Sequence, residues 1–433
     1  MLELIDGRDT STPVHIARPQ RIDGGSEPIA SVSAIVDDVR LRGDAAVREH
    51  TLSLDGVAVA ELRVGEGDIV GARRLVRPEL IDALEFAADR LRVMSERQLP
   101  ETWYRRDAGA TVGELVRPIR RVGVYVPGGR AAYPSTVIMA AIPAQVAGVE
   151  NVAVCSPPNA GGEIAESVLA ACAVAGITEV YRAGGAQAIA ALAYGTESVR
   201  PVDKIVGPGN VYVTLAKRLV GDWVGIDSEA GPTEIAIIAD ETADPNVIAS
   251  DLIAQAEHGP LGVHALITWV PELADEVIES LEAHVPLHER AEELENTLIE
   301  GGRAVLVRDL GHAFGTANAL APEHLELVVG DVSRSLDRVV NAGAVFVGPV
   351  SPVPAGDYVA GTNHILPTGG AARWASGLSV LDFVKRIYVC ELEEDALERF
   401  APHIDALAEA EGLHGHSRAV QARLERGPKS TIL

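Results

Sequence analysis

A chain of 433 residues with 47% hydrophobic side chains can bury a large core, and its length points to two or three domains. The formal net charge of -25 argues against nucleic acid or an anionic membrane as the main partner, because both require a basic surface. Three scattered cysteines, Cys155, Cys172 and Cys390, make neither a disulfide framework nor a thiolate zinc cluster, which points to a reducing compartment.

The start of the chain, Met1 to Asp6, is acidic where a secretory signal needs a basic start and an apolar run. No uninterrupted apolar stretch is long enough to span a bilayer, so a soluble cytoplasmic protein is expected. Residues 1–25 read as a polar, proline-containing arm. Val32, Ile35, Val36 and Val39 predict a helix within 31–50, and Leu80, Ile81, Leu84, Ala87, Ala88 and Leu91 predict a second over 78–96. Residues 110–116 read as a strand. From Val122 the chain alternates. Strands are predicted at 122–126, 152–155, 179–182, 204–206, 234–239, 264–269, 304–307, 325–329 and 345–347. Helices are predicted at 136–147, 164–175, 187–194, 211–220, 247–257, 273–283 and 313–320. Short Val/Ile runs between Ala/Leu helices indicate parallel sheets covered on both faces. So many strands exceed one comfortable sheet, so two doubly wound units are expected. One more strand over 382–391 leads into a helical tail.

Three Gly-rich strand-to-helix turns follow one another: Val126-Pro127-Gly128-Gly129-Arg130, Ala183-Gly184-Gly185-Ala186-Gln187 and Val206-Gly207-Pro208-Gly209-Asn210. Such turns let backbone amides approach a phosphate at a helix N-terminus. None matches G-x-G-x-x-G, and tight βα turns explain any one of them, but three in succession favour a site. Gln255 and His258 share a face at the end of a helix stopped by Gly259-Pro260. They can hold a metal, or the histidine merely complements the helix dipole. Glu323 and His324 follow Pro322 at a strand entrance. Neighbours on an extended strand point opposite ways, so the two serve one proton-transfer site only if the backbone turns there; a charged strand edge is the plain alternative. Residues 356–368 read as a long ordered loop carrying Asp357 and His364, which are either functional or satisfy turn backbone. In the tail, His414-Gly415-His416 suggests metal binding or a solvated loop. That tail has little core of its own, and another subunit is a reasonable host.

Together these segments resemble the histidinol dehydrogenase family. The resemblance is carried by residues 121–129, Gly184-Gly185-Ala186-Gln187-Ala188-Ile189-Ala190, Val206-Gly207-Pro208-Gly209-Asn210, Ala230-Gly231-Pro232-Thr233-Glu234 and Gln255-Ala256-Glu257-His258. Pro322-Glu323-His324-Leu325, 356–358 with 363–368, and Ala410-Glu411-Gly412-Leu413 complete the family's order over nearly the whole chain. The resemblance implies an α/β fold with two incomplete Rossmann-like doubly wound domains, one inserted in the other. The first is 26–124 with 236–378, carrying metal and catalytic residues; the second is 125–235, on the NAD side. The arm is 1–25, and a C-terminal dimer-exchange tail is 379–433. It also implies zinc held by Gln255, His258 and Asp357 of one subunit and His416 of its partner in a homodimer. NAD is placed near Tyr125, Gln187 and Asn210. The substrate L-histidinol touches Thr233, His324, His364 and Glu411 along with the zinc ligands; Thr233 stands where the family often has Ser, and either offers a hydroxyl.

The implied reaction is the four-electron oxidation of L-histidinol to L-histidine through the aldehyde, the last step of histidine biosynthesis, with two NAD reduced. In it His324 takes protons in both oxidations and Glu323 activates water for attack on the aldehyde. Gln is a poor zinc ligand, so the metal is expected to position the substrate more than to generate hydroxide. Two other readings stay open: a paralogue acting on a different small alcohol, and a non-redox metal-dependent hydrolase or binding protein. A Cys155 thiol route is the mechanistic rival, but that cysteine lies in an apolar run with no nearby basic residue.

Overall fold

The computed structural model describes residues 1–19, 26–128, 131–228, 231–331 and 335–425. Gly129, Arg130 and Ala230, which belong to the motifs above, lie outside the described residues, as does the end of the expected arm. The chain divides into two units, Met1–Gln98 with Ile119–Phe383, and Leu99–Pro118 with Val384–Leu433.

The expected arm opens with a strand, β1 (Glu3–Asp6). The single helix expected over 31–50 is two, α1 (Ser26–Arg42) and α2 (Asp44–Asp55), because Gly43 between them takes a φ of 58°. A short α3 (Glu66–Gly71) precedes α4 (Pro78–Gln98), which buries the expected stripe of Leu84, Ala87, Ala88 and Leu91. Next come β2 (Trp103–Asp107) and β3 (Ala110–Pro118). Regular alternation then begins with β4 (Arg121–Tyr125), α5 (Pro134–Ala147), β5 (Asn151–Ser156), α6 (Glu166–Val174) and β6 (Glu179–Arg182). It continues through α7 (Gly185–Tyr194), β7 (Lys204–Val206), α8 (Val211–Val220) and the two-residue β8 (Gly225–Ile226). The next stretch holds β9 (Glu234–Ala239), α9 (Pro245–Ala256), β10 (Val263–Thr268), α10 (Pro271–His284), α11 (Ala291–Gly301) and β11 (Gly302–Leu306). Then follow α12 (Leu310–Leu320), β12 (His324–Val328), β13 (Ala344–Val347) and α13 (Val353–Tyr358). The chain ends with β14 (Val384–Leu392), α14 (Glu394–Ala410) and α15 (His414–Leu424).

The first unit holds two parallel sheets, one ordered β6-β5-β4-β7-β8 and the other β1-β11-β10-β9-β12-β13. β4 belongs to the smaller sheet and β9 begins at Glu234 in the larger. The sheets therefore change over a few residues ahead of the 124/125 and 235/236 boundaries read from the sequence. β4, β6, β9, β10, β11 and β12 are buried at every position, so β9 and β10 read as near-continuous apolar runs, while β6 and β12 bury charged residues among their apolar ones. On β9, Ile235, Ile237 and Ala239 pack with α9 and α10, while Ala236 and Ile238 pack with α12, so both faces of the larger sheet are covered. Each such Val, Ile or Leu contributes about 1.5–3 kcal/mol on burial.

The second unit is an antiparallel sheet, β14-β3-β2, with the paired helices α14 and α15. The segment 99–118, assigned from the sequence to the first domain, therefore folds with the tail. Among the described residues no helix is long and apolar enough to cross a membrane.

Candidate active site

Two clusters form in the first unit, at opposite kinds of strand end. A cavity of about 990 Å³ opens at the carboxyl ends of the smaller sheet, near the top of the range for small-molecule sites. Tyr125, Gln187 and Asn210 all line it, together with Gly128, Gly185 and Asp55. Asn210 caps α8, its Oδ1 accepting the Tyr212 and Val213 N–H groups at 3.1 and 3.2 Å. Lys217 donates to the Gly207 carbonyl at 2.9 Å and pairs with Asp227, which accepts the Gly207 N–H at 2.7 Å. Gly207 has a φ of 116°, and a Cβ there would collide with the Tyr125 carbonyl. The Tyr125 hydroxyl accepts the Gly185 N–H at 3.1 Å, and burial pushes its pKa up to about 12. Gln187 is 1% exposed, yet neither amide atom has a hydrogen-bond partner. An unsatisfied buried amide in a cavity wall costs about 1–3 kcal/mol unless something in the cavity meets it.

The second cluster gathers at the amino ends of the larger sheet, although ligands of open α/β sheets usually collect at the carboxyl ends. Thr233 precedes β9, Gln255 lies near the end of α9, and His324 opens β12. Ala321 caps α12 in the left-handed region with a φ of 51°, and Pro322 stops the helix continuing. The backbone thus turns where the sequence required it to, and Glu323 Oε2 comes within 3.5 Å of His324 Nδ1. Glu323 Oε2 accepts the Thr233 hydroxyl at 2.5 Å and the Glu234 N–H at 3.0 Å. Gln255 Nε2 donates to the Thr233 hydroxyl oxygen. His324 Nδ1 donates to the Glu234 carbonyl at 3.0 Å. Its Nε2 is buried without a hydrogen bond, 3.6 Å from Asp357 Oδ1.

Asp357 comes from the end of α13, not from the long loop expected over 356–368. From the sequence, Pro352-Val353-Pro354 is expected to break helix and strand alike. Here prolines open the helix, where a missing N–H removes no intrahelical bond, and Val353 is buried in the core. Beyond the helix Ile365 and Leu366 are buried, while Tyr358 is exposed. His364 Nδ1 donates to the Asp357 carbonyl at 2.9 Å, and its Nε2 lies 3.3 Å from the Thr136 hydroxyl on α5. His364 also feels the charges of Asp357, His324 and His258. His258 Nδ1 donates to the Gln255 carbonyl at 3.2 Å, leaving Nε2 as its acceptor atom. Thr233, Gln255, His258, Glu323, His324, Asp357 and His364 therefore share one neighbourhood. Glu411 and His416 belong to the second unit, at the end of α14 and the start of α15, and both are exposed. Among the described residues no three His, Cys, Asp or Glu side chains cluster as a metal site.

Burial raises the Glu323 carboxyl above the ordinary carboxylate range, against the pull of His324 and the Thr233 hydroxyl. Burial works the other way on His324, but it is outweighed by the Glu323 charge and by Asp357. The imidazole is pushed up to about 9. Burial also keeps His364 below the ordinary histidine range. Cys155, the rival nucleophile, is fully buried, and burial drives its thiol far up; it is core.

Sequence reasoning passed over four participants. Thr136 meets His364. Arg18, from the arm, binds Glu234 at 2.5 Å and the Leu320 carbonyl at 2.6 Å. Asp251 and Glu326 face each other behind His324. Only Glu326 carried a signal, as an acid between Leu325 and Leu327 in a fully buried strand.

Parallel sheets covered by helices, a cofactor-sized cavity and a buried carboxylate–imidazole pair define an α/β protein with an enzyme-like site. The family model described as histidinol dehydrogenase matches residues 20–424, and the chain belongs to that family. It is 46% identical over 397 residues to the histidinol dehydrogenase of Methanothermobacter thermautotrophicus, covering 92% of this chain and 93% of that one. With the histidinol dehydrogenase of Moorella thermoacetica it shares 47% over 428 residues, 98% of this chain and 100% of the relative. The crystal structure of histidinol dehydrogenase from Elizabethkingia anophelis superposes with a TM-score of 0.91 at 34% identity, covering 98% of each chain.

Proposed function

We propose that this protein, an oxidoreductase of histidine biosynthesis acting on histidinol, carries the substrate through the whole four-electron oxidation to L-histidine by way of L-histidinaldehyde. The observation that carries the reading is the Glu323–His324 pair, buried at the meeting of β9, α9, β12 and α13. Zinc fits the donors left over there. Gln255 keeps its amide oxygen, and His258 presents Nε2 with its tautomer set by a backbone carbonyl, as metal-bound imidazoles usually are. Asp357 adds a carboxylate. This nitrogen and oxygen set, completed by His416 of a second subunit, would hold the imidazole and amine of histidinol in place. Bound NAD, in the cavity lined by Tyr125, Gln187 and Asn210, would accept one hydride in each oxidation.

The chain itself handles protons. Were Asp357 to hold the metal, one of the charges that keep the proton on His324 would be offset. The imidazole can then take the hydroxyl proton of histidinol as hydride leaves. Glu323 Oε2 is occupied by Thr233 and Glu234, which leaves Oε1 to draw a proton from water attacking the aldehyde. Once His324 has passed its first proton to solvent, it takes the hydroxyl proton of the resulting gem-diol as the second hydride leaves. Thr233, His364 and Glu411 complete the substrate contacts in this reading, and a cytoplasmic homodimer is its natural setting.

The test is absorbance from NADH on mixing enzyme, zinc, NAD and histidinol. Two NADH per histidinol are expected. None would leave a hydrolase or binding protein on the same scaffold, and turnover of other small alcohols in preference would make it a paralogue.

A further inference from the structure

Glu326 is a buried acid that the chemistry above leaves unused. It is 2% exposed, on the strand that begins with His324. Its Oε1 accepts the N–H of Val353, the first residue of α13, at 3.2 Å. Its Oε2 is buried with no hydrogen-bond donor among the protein groups. The side chain that meets it is the carboxyl of Asp251 on α9, within hydrogen-bonding reach. Two carboxylates have no proton to offer each other, so this contact holds together only when one of them is protonated. The ionisable groups facing Glu326 are Asp251, from α9, and the imidazole of His324, from its own strand; α13 offers only the backbone N–H.

The three elements joined here are the three that carry the site. α9 leads to Gln255 and His258, β12 opens with His324, and α13 ends at Asp357. We infer that Asp251 and Glu326 form an acid–carboxylate clamp, sharing one proton, that fixes the spacing of α9, β12 and α13, with Glu326 a positioning residue for the reaction. This rests on reading those side chains as one active site. Burial raises both carboxyls above their ordinary range; the Asp251 charge pushes Glu326 up further, while the hydrogen bond from Glu326 pulls Asp251 partly back, so the shared proton rests on Glu326 near neutrality. The sign follows from linkage. The folded state binds this proton more tightly than the unfolded chain. The clamp's contribution is therefore full at acid pH and is lost as pH rises past neutrality, where two buried like charges remain.

Glu326→Gln tests this, since glutamine accepts from Val353 and donates to Asp251 at every pH. Asp251→Asn places the donor on the other side of the same contact. In thermal unfolding of the metal-free protein from about pH 5 to about pH 9, the wild type should lose stability with rising pH more steeply than either variant. In the zinc-loaded enzyme, the alkaline fall of kcat/KM should move up by about one pH unit or more in Glu326→Gln. Glu326→Ala should lose about tenfold or more in kcat/KM at every pH, with glutamine restoring most of it. Superposable stability–pH curves for the wild type and the Gln variant would overturn the clamp, and so would an Ala variant as active as Gln. A chain that folds with neither isostere needs a charge at this contact rather than a shared proton, which overturns it as well. Unfolding of the metal-free protein reads the clamp even if histidinol is not oxidised, so its failure and that of the proposed function are separable.

Discussion

His324 in the ligand-free protein holds its proton through the neutral range, because Glu323 and Asp357 stand on either side of it and outweigh its burial. The sequence offered an imidazole with an ordinary affinity for protons; the fold makes it a base only when its neighbours are engaged. Its contribution to stability is full below the ordinary histidine range and is lost as pH rises through about 9, since the folded state binds the proton more tightly. Replacing Glu323 with Gln removes the nearer charge. Titration of the His324 ring signals in the metal-free variant should then give a midpoint lower by about one unit or more; an unchanged midpoint would contradict the electrostatic account. The same variant should lose more of its aldehyde oxidation than of its alcohol oxidation, because only the former consumes water. At this scale, residues with a sequence rhythm were legible. Gln255 closes a helix and His258 follows in the turn that ends it, and Glu323 and His324 follow a proline. Asp251 and Arg18 were not, because what they do depends on partners 75 and 216 residues away.

Elements were legible in proportion to how completely they are buried. β6, β7, β9 and α8 have the limits expected for them, since each strand is a short run of Val, Ile or Tyr and α8 is an apolar stripe between Asn210 and Gly221. β2 passed unseen because its five residues are all exposed and carry no alternation. α13 hides in the sequence because two prolines within three residues suggest a break, whereas here they open the helix as its first turn. The turn between β7 and α8 shows how a glycine is dictated by its neighbours: the Tyr125 carbonyl occupies the space a Cβ would need, and φ is positive. Gly207→Ala should therefore lower stability by about 2–4 kcal/mol in urea unfolding, with the slope unchanged. It should also weaken NAD binding, because the shifted turn carries Asn210; full affinity in a destabilised protein would detach this turn from the cavity.

On the scale of the whole molecule, the legible part was the pair of parallel sheets, and the hidden part was the second unit, assembled from distant pieces of chain. Its surface exposes the large apolar side chains of Trp103, Tyr104, Ile387, Tyr388 and Leu407. A second copy covering it agrees with the proposed exchange of His416. Mixing gives the decisive measurement. His416→Ala and Asp357→Ala chains, each inactive alone, should recover about a quarter of wild-type activity when refolded together in equal amounts. Half of the dimers are then hybrids, and each hybrid has one intact site. No recovery would mean that His416 serves its own chain.

The union of 99–118 with the C-terminal stretch also sets a timetable for synthesis. The hairpin of β2 and β3 leaves the ribosome roughly 265 residues before β14, its sheet partner, and at about 5–20 residues per second that is a wait of roughly 13–53 s. Throughout that interval β3 presents an open edge to whatever else is being made nearby. Chaperone capture of nascent chains should accordingly concentrate on those that have passed Pro118 and have not yet reached Leu392.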